Sequence, residues 1–280
     1  MKLGIIGLGL IGGSLALELR SRHHYLLGIS RRPETCALAC QKGIVDEASV
    51  DLSLLKPAEV IFICTPIGAI LPTVEQLQPI LSPETILTDV GSVKAPIVEA
   101  VTPLWSNFIG GHPMTGTAQQ GIEAVQKDLF TGTRYVLTPT EETPSQAQKT
   151  VTEIVASLET EVIVCSPFTH DQAVAWISHL PVFVSSSLIA SCLQEQDSEV
   201  IELAQKLASS GFRDTSRVGG GNPELGVMMA KYNKQAVQRS LLVYRQQLDA
   251  MMTAIEAENW QEVERILEQT KGARSSFLEQ

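Results

Sequence analysis

The sequence has few cysteines, and their spacing argues against two kinds of site. The five cysteines include no Cys-x-x-Cys pair and no cluster with histidine at metal-ligand spacing, so we expect no zinc or other metal. Their odd number favours a reducing compartment over a disulfide framework. The chain begins directly with a strand-like run and lacks the basic start of a cleavable signal. We therefore expect a cytoplasmic protein.

Positive charge is also scarce. Lys and Arg number 21 against 31 Asp and Glu, which gives a formal net charge of −10 at pH 7. Broad binding to nucleic acid or to an anionic membrane needs a basic face, so we expect neither partner. An anionic ligand would have to be held by a few local Arg, Lys, His or backbone N–H groups.

The most apolar long stretch is not typical of a membrane span. This run, 173–193, contains His179, Pro181 and the three consecutive serines 185–187. Polar groups and helix breaks of this kind are costly in lipid and ordinary inside a protein. We therefore predict a buried core helix here, and no membrane segment.

Short apolar runs alternate with helical patterns over the first 165 residues. The strand-like runs are continuous, as expected for strands that are covered on both faces. They span 3–6, 25–29, 60–64, 86–89, 107–109, 135–137 and 162–164, and helical windows at 12–20, 33–42, 67–81 and 145–158 lie between them. This alternation predicts an α/β fold with a Rossmann-type, doubly wound and mostly parallel sheet.

Beyond Cys165 the pattern is helical throughout. Helices are predicted over 167–194 with a break at Pro181, and over 199–210, 224–257 and 260–277. We therefore predict two domains, a nucleotide-binding domain over 1–165 and an all-helical substrate and dimerisation domain over 166–280. A compact monomeric bundle is the alternative, but long apolar helices in a domain of 115 residues are hard to bury in one copy. A homodimer built by the helical domains is therefore expected.

A glycine-rich run near the N-terminus predicts a dinucleotide site. Gly7-Leu8-Gly9-Leu10-Ile11-Gly12 follows the first strand and opens a helix. Gly7 permits the tight turn, Gly9 lets the backbone approach a pyrophosphate, and Gly12 allows the helix to pack on the strand. The pyrophosphate would lie on the free amides at the helix N-terminus, next to Leu10 and Ile11. The alternative is a glycine turn that binds no ligand.

The end of the second strand distinguishes the two nicotinamide cofactors. NAD sites place Asp or Glu there to bind both ribose hydroxyls. This chain has Ser30-Arg31-Arg32 instead, a hydroxyl and two guanidiniums suited to a 2′-phosphate. The sequence therefore favours NADP, the alternative being that Arg31 and Arg32 are ordinary surface charges.

Two further segments follow predicted strands of the sheet. Thr65-Pro66 comes after the third predicted strand, and Gly91-Ser92-Val93-Lys94 after the fourth. Ligands of open α/β sheets bind at this carboxyl edge, so Thr65, Pro66 and Ser92 are expected to line the nicotinamide side. Lys94 has the alternative interpretation of an exposed residue at the start of a helix.

Two of the five histidines are candidates for catalysis. His112 lies in Gly110-Gly111-His112-Pro113-Met114, where flanking glycines allow close approach of a substrate. His179 lies two residues before Pro181, which has no N–H to donate to the carbonyl of Ile177, so the helix is opened locally beside His179. The apolar setting also favours the neutral form of the His179 imidazole. A lone histidine on an apolar helix is otherwise usually a core residue. We interpret His170 as structural, and His23 and His24 as solvated.

Taken in order, these segments resemble a known family. The glycine run, Asp89-Val90-Gly91-Ser92-Val93-Lys94, Gly110-Gly111-His112-Pro113-Met114 and Ser178-His179-Leu180-Pro181 are similar to those of the prephenate/arogenate dehydrogenases of tyrosine biosynthesis. The resemblance covers essentially the whole chain. Within the family, the chain is most similar to the compact cyanobacterial-type arogenate dehydrogenases.

The resemblance implies an NADP-dependent oxidative decarboxylation of L-arogenate to L-tyrosine. It implies that His179 is the base that takes the proton of the ring hydroxyl, while His112 and Ser92 hold that hydroxyl beside the nicotinamide. It also places the family's carboxylate-binding arginine at Arg217. A surface or interdomain ion pair is the alternative role for Arg217.

Departures from the family pattern bear on the substrate. Many prephenate-using members carry a further histidine where this chain has Val182, and often an aromatic residue where it reads 222–226. These differences favour arogenate, with prephenate dehydrogenase giving 4-hydroxyphenylpyruvate as the alternative. We expect no chorismate mutase segment and no C-terminal regulatory domain.

Two other classes remain open from the sequence. A hydroxyacid dehydrogenase has a similar outline, and Lys231 with Asn233 faintly resembles its catalytic lysine pattern. A non-catalytic NADP-binding sensor would keep the glycine run, but it would have no reason to keep His112, His179 and Arg217 together.

Overall fold

A single sheet organises the first part of the chain. The structure, a computed structural model, describes residues 1–117 and 119–278. Within these ranges eight strands pair in the order β3-β2-β1-β4-β5-β6-β7-β8. The strands are β1 Lys2–Ile6, β2 Tyr25–Ile29, β3 Glu47–Ser49, β4 Val60–Ile63, β5 Ile86–Asp89, β6 Phe108–Pro113, β7 Arg134–Thr138 and β8 Glu161–Val164.

The sheet is mostly parallel, which confirms the predicted fold class. Strands β1 to β6 pair in parallel, β7 is antiparallel to β6, and β8 is parallel to β7. All seven predicted strands form. The additional strand β3 was not predicted because its sequence, Glu-Ala-Ser, has no apolar run to indicate a buried strand.

Helices cover both faces of the sheet. They are α1 Leu10–Ser21, α2 Pro33–Gln41, α3 Ile67–Leu77, α4 Ala95–Val101 and α5 Ser145–Ala156. One apolar cluster joins α1 and α5 to β1, β4 and β7, and a second joins α3 and α4 to β4 and β5. Burial on both faces explains why the strand sequences are continuous apolar runs.

The segment after β8 is helical, as predicted, with different breaks. It contains α6 Pro167–Val174, a π-helical turn Ala175–His179, α7 Leu180–Cys192, α8 Ser198–Leu207, α9 Ser210–Ser216 and α10 Pro223–Tyr232. The expected break at Pro181 takes the form of this wide turn just before it. A π turn relieves the missing N–H of the proline without ending the helix.

The prediction of a buried core helix over 173–193 is wrong for a single chain. Pro167–Cys192 is long and apolar enough to cross a membrane by length and composition alone, and 28% of its most apolar window is buried. Side chains such as Ile177, 56% exposed, and Leu193, 72% exposed, lie at its surface. The apolar character of this helix therefore does not come from burial within one copy of the chain.

By its contacts the described part of the chain divides into two compact units, with the division between Asn233 and Lys234. The second unit contains α11 Lys234–Glu256, α12 Trp260–Ala273 and α13 Ser275–Leu278, and α11 packs on α12. The helix predicted over 224–257 is interrupted at Asn233, where α10 ends. The proposed domain boundary at 165/166 remains a prediction from the sequence.

Candidate active site

The glycine run forms the turn from β1 into α1. Gly7 has a φ of 100°, and a Cβ there would lie 2.6 Å from the carbonyl oxygen of Cys64. A Cβ at Gly12 would lie 2.0 Å from the carbonyl oxygen of Gly7, so both glycines are required by the backbone itself. A Cβ at Gly9 would meet no atom of the protein within 4 Å. Packing therefore does not explain Gly9, whereas close approach of a ligand does.

The start of α1 is suited to an anion. The helix begins at Leu10 after the cap residue Gly9, and no side chain caps it. The first amides of a helix, here those of Leu10, Ile11 and Gly12, have no partner within the helix. Unsatisfied amides at a helix N-terminus bind phosphate, so this turn fits the pyrophosphate of a dinucleotide.

Ser30, Arg31 and Arg32 lie at the carboxyl end of β2, beside this turn. Both arginines are exposed and Ser30 is half-buried. Neither guanidinium forms an ion pair with the residues that the structure describes. The two groups are therefore free to bind a phosphate.

Three predicted site residues present buried polar atoms without a partner. Thr65 Oγ1, after β4, Ser92 Oγ, after β5, and His179 Nε2 are shielded from water and make no hydrogen bond to residues 1–117 or 119–278. A buried polar group without a partner costs about 1–3 kcal/mol. These atoms are explained if a ligand is their partner. Pro66, at the start of α3, is exposed.

Lys94 is fully buried, so its interpretation as an exposed residue is wrong. Its ammonium forms an ion pair with Asp89, whose side chain is also fully buried. Lys94 Nζ also donates to the carbonyl oxygen of Gly111 at 2.6 Å, and the N–H of Gly111 donates to Asp89 Oδ1 at 3.2 Å. Burial lowers the pKa of Lys94, and the carboxylate of Asp89 opposes that shift. The Lys94–Asp89 pair therefore binds both the carbonyl oxygen and the N–H of Gly111, the residue immediately before His112.

Strand β6 is pressed closely between its neighbours at this point. A Cβ at Gly110 would lie 2.4 Å from Thr138 Oγ1, and one at Gly111 would lie 2.6 Å from the carbonyl oxygen of Asp89. Both glycines are needed for this packing. They fix the backbone that carries His112 into the site.

His112 is linked to a buried carboxylate through a second histidine. His112 Nδ1 lies 2.8 Å from His170 Nε2, and His170 Nδ1 lies 2.8 Å from Asp171 Oδ1. The three residues are 8%, 2% and 4% exposed. Asp171 also accepts the backbone N–H groups of Lys94 and Ala95, at 2.7 and 2.8 Å. His170 is thus a direct partner of a candidate catalytic residue rather than only a structural one.

His179 occupies the last position of the π-helical turn and is fully buried. Its Nδ1 lies 3.2 Å from Asn233 Nδ2, which also donates to the carbonyl oxygen of Asp171 at 2.8 Å. Burial lowers the pKa of His179 to about 4. The pKa of His112 is held well below its ordinary range by burial and by the nearby charges of His170, Lys94 and His179. Both rings are therefore neutral at neutral pH.

Arg217 lies at the end of α9 and is exposed. Its segment is attached to α7 through Ser185, whose hydroxyl donates to the carbonyl oxygen of Thr215 and accepts the N–H of Gly219, both at 2.8 Å. Among the described residues the guanidinium makes no ion pair. The structure therefore does not tie Arg217 to the histidine cluster, and its role stays a prediction.

The remaining candidates fall outside this cluster. His23 is exposed, and His24 is half-buried with an unpartnered Nδ1 rather than fully solvated. Lys231 is exposed, with its ammonium 5.2 Å from the ring centroid of Tyr232. A buried catalytic lysine of the hydroxyacid dehydrogenase kind is therefore not found at Lys231.

Family models match nearly the whole chain. The one described as prephenate dehydrogenase, nucleotide-binding domain, matches residues 15–164, and the one described as prephenate dehydrogenase, dimerization domain, matches residues 166–269. The chain belongs to the prephenate dehydrogenase family. The resemblance predicted from the sequence is confirmed, and the chain is a dehydrogenase of aromatic amino acid biosynthesis.

Individual members of the prephenate dehydrogenase family are similar over nearly all of this chain and over three quarters or more of their own. Prephenate dehydrogenase of Bacillus subtilis is 30% identical over 98% of this chain and 75% of its own. The crystal structure of Synechocystis arogenate dehydrogenase shares 55% identity, with a TM-score of 0.91 over 99% of this chain and 100% of that one. Prephenate dehydrogenase from A. aeolicus, solved with hydroxyphenyl propionate and NAD+, shares 27% identity, with a TM-score of 0.93 over 99% and 98%.

The part that four residues play in this site was missed by sequence reasoning. Asp171, Asn233 and the Asp89–Lys94 pair connect positions that lie far apart in the chain, such as 94 with 171 and 171 with 233. One signal was present: His170-Asp171 places two ionisable residues in a helix that otherwise has no charge. An adjacent His and Asp opening an apolar helix could have been interpreted as part of the site.

Proposed function

We propose that the protein catalyses the NADP-dependent oxidative decarboxylation of L-arogenate to L-tyrosine. The observation that carries this proposal is the pair of buried neutral imidazoles, His112 and His179, and the buried hydroxyl of Ser92, after β5, has no partner among the described residues. Arogenate rather than prephenate is supported by the 55% identity to Synechocystis arogenate dehydrogenase, against 26–30% for relatives named prephenate dehydrogenases. Prephenate dehydrogenase remains the second candidate because those relatives cover the chain equally well.

The chain's residues fit an NADP cofactor. The turn at Gly9 and the free amides of α1 would hold the pyrophosphate, and Ser30, Arg31 and Arg32 would hold the 2′-phosphate. Thr65 and Ser92 would lie at the nicotinamide end of the site. When bound, the oxidised nicotinamide supplies the acceptor for the hydride that leaves the ring carbon of the substrate.

The hydrogen bonds of His112 favour it as the base. The carboxylate of Asp171 can only accept, so His170 donates to it from Nδ1, and in the neutral form of His170 that we propose for the resting enzyme Nε2 then accepts. His112 therefore donates from Nδ1, which leaves a lone pair on its Nε2. These proton positions are assigned from the hydrogen-bond network. A neutral imidazole with a free lone pair is the group needed to take the proton of a ring hydroxyl.

His179 has the opposite tautomer. Asn233 Nδ2 donates to the carbonyl oxygen of Asp171, which fixes the orientation of the amide, so its second hydrogen points to His179 Nδ1. His179 then carries its proton on Nε2, the buried atom without a partner. A ring in this state donates a hydrogen bond and cannot accept a proton at that atom. We therefore propose the reverse of the roles that the family resemblance implied, with His179 as a donor to the substrate.

In this scheme the side chains orient the substrate and move one proton. Ser92 and His179 hold the substrate by hydrogen bonds, and His112 Nε2 accepts the hydroxyl proton as the ring carbon is oxidised. The oxidised ring then loses CO2 and becomes aromatic. Arg217 would bind a substrate carboxylate, which gives an acidic protein a local cation for an anionic ligand.

The function is tested by assaying reduced-nicotinamide formation with arogenate and with prephenate, each with NADP. The value of kcat/KM should be higher for arogenate. His112→Gln should lower kcat by about 10²- to 10⁴-fold, as expected for the loss of a general base. His179→Gln keeps an N–H donor and should act more on KM, while His23→Gln, at an exposed position, is the control. Faster turnover of prephenate would overturn the substrate assignment. Loss of turnover in His179→Gln alone would overturn the assignment of the base.

The cofactor is tested by Arg31→Asp. Charge-assisted hydrogen bonds are each worth about 1.5–3 kcal/mol, so this change should raise the KM for NADP by about tenfold or more and leave the KM for NAD nearly unchanged. Lys149→Asp makes the same change of charge at an exposed position on α5 and should have no such effect. An equal change in both Michaelis constants on Arg31→Asp would contradict NADP recognition.

We also propose that the enzyme is a cytoplasmic homodimer formed through its helical residues. The family model that matches 166–269 is described as a dimerization domain. On α8, Val200, Leu203 and Leu207 are 49%, 55% and 68% exposed, and they recur at the spacing of one helix face. A second copy of the chain is the partner that such a surface fits.

A further inference from the structure

His170 lies between His112 and Asp171 in a continuous chain of hydrogen bonds. Both links are 2.8 Å long, and both histidine rings are buried. A histidine with only a structural role commonly bonds to a backbone carbonyl or a hydroxyl. The Nε2 atom of His170 instead meets the ring nitrogen of another histidine.

From this geometry we propose that His170 is a proton relay for His112, with Asp171 as its charge partner. The inference rests on the proposed function, in which His112 is the base. As the O–H bond of the substrate breaks, a new N–H bond forms at His112 Nε2. The proton on His112 Nδ1 passes to His170 Nε2, so the positive charge comes to lie on His170, beside the carboxylate of Asp171. No electrons are gained or lost in these two transfers.

The charges around His112 explain why a relay is needed. A proton kept on His112 would create a buried cation whose neighbours are Lys94, His170 and His179, and burial together with these groups already lowers the pKa of His112. The ammonium of Lys94 is offset by Asp89, but no carboxylate contacts His112 directly among the described residues. If the charge moves to the ring of His170, it lies beside the carboxylate of Asp171, whose Oδ1 is 2.8 Å from His170 Nδ1.

Asp171 is held in the form that this role requires. Its carboxylate accepts the N–H groups of Lys94 and Ala95 as well as His170 Nδ1. Three N–H groups therefore face its two oxygens, and a carboxylate can accept at both. Asp171 is therefore suited to stabilise an imidazolium on His170 rather than to take the proton itself.

The first test measures the resting protons and needs no substrate. In protein labelled with 15N at histidine, ring-nitrogen chemical shifts report which nitrogen of each neutral ring carries the proton. We expect Nδ1–H for His112 and His170 and Nε2–H for His179, with assignments made from His112→Gln, His170→Gln and His179→Gln. A proton on Nε2 of resting His112 would overturn the relay, whatever the substrate of the enzyme proves to be.

The second test separates proton transfer from packing. His170→Gln keeps an amide oxygen that can accept from His112 Nδ1 but cannot take up a proton. It should lower kcat by about 100-fold and change KM by less than about threefold, as expected for loss of a proton-transfer partner. A proton inventory of a single turnover in mixtures of H2O and D2O should be curved for the unaltered enzyme and linear for His170→Gln.

Controls keep the outcome decisive. His24→Gln changes a histidine outside the site and should leave kcat and the proton inventory unchanged. His170→Asn, which keeps a donor for Asp171, serves if His170→Gln does not fold. The assays use whichever of arogenate and prephenate the unaltered enzyme turns over. If it turns over neither, the proposed function is overturned. The NMR test still decides the relay in that case. The relay is overturned if the folded variant keeps kcat within about threefold or keeps a curved inventory.

Discussion

The carboxyl edge of the sheet and the helices that follow β8 differ in how completely their side chains find partners within one chain. At the sheet edge the buried charges of Lys94, Asp89 and Asp171 all have partners within the chain. On the following helices, apolar side chains such as Phe168 and Leu207 are 66% and 68% exposed. The comparison indicates that one chain assembles its own polar cluster, whereas it leaves apolar side chains of its helical surface uncovered.

The largest expected effect is on the buried ion pair of the sheet edge. Lys94→Met removes one partner and leaves the carboxylate of Asp89 in the core with only backbone donors. Breaking a buried pair in this way costs about 3–5 kcal/mol, so the free energy of unfolding should fall by that amount. Urea unfolding measured at fixed protein concentration checks this, and kcat should fall as well because Gly111 is released next to His112.

Lys149→Met is the matched control for this change. Lys149 and Glu153 form an exposed pair one turn apart on α5, with side chains 69% and 66% exposed. Such pairs contribute about 0.3–0.5 kcal/mol. If Lys94→Met were no more harmful than Lys149→Met, the sheet edge would not depend on its internal charges, and the contrast with the helices would fail.

The same contrast explains what the sequence could and could not predict. The strands and the glycine run were predictable because their signals are local: continuous apolar runs, and glycines at fixed spacing. The contacts of Lys94 with Asp171 and of His170 with His112 were not, because each joins residues more than fifty positions apart. The direction of proton donation at His112 and His179 depends on Asp171 and Asn233, so the two rings look alike in sequence and differ only once folded.

The next effect concerns the helical surface. Leu203→Asp places a charge at the centre of the apolar face formed by Val200, Leu203 and Leu207 on α8. If a second copy covers this face, burying the charge should cost about 2 kcal/mol or more and raise the Kd of the dimer at least about tenfold. Analytical ultracentrifugation over a range of concentrations measures that change. Gln205→Asp, on the opposite side of the same helix, should leave the Kd unchanged, and equal effects would show that α8 is not in the interface.

A smaller effect is expected on the pH dependence of stability. Burial lowers the pKa of His179 from its ordinary 6.5 to about 4, so between these values the unfolded chain binds a proton that the folded chain does not. The free energy of unfolding should therefore fall as the pH drops through this window, by about 2 kcal/mol at pH 5 for this one group. Between pH 8 and pH 5, the unaltered protein should lose about that much more stability than His179→Gln.

An exposed histidine provides the control for that measurement. His23 is exposed, so its replacement by Gln should leave the pH dependence as it is in the unaltered protein. If His179→Gln were equally sensitive to acid, His179 would not be a ring kept neutral by burial, and its assignment as an N–H donor would lose its basis.

The smallest expected effect concerns Ser185 of α7. This residue holds the segment that carries Arg217, so it links the helices to the proposed substrate site. Ser185 is 1% exposed, and its hydroxyl is hydrogen-bonded to the backbone of both Thr215 and Gly219. Ser185→Ala should lower the free energy of unfolding by about 1 kcal/mol and, if Arg217 binds the substrate carboxylate, raise KM by about fivefold with kcat little changed. Ser191→Ala, which removes only an exposed bond to the carbonyl of Ser187, should do neither. An unchanged KM in Ser185→Ala would argue that the position of Arg217 does not depend on α7, because the loosened segment would then bind substrate as well as the anchored one.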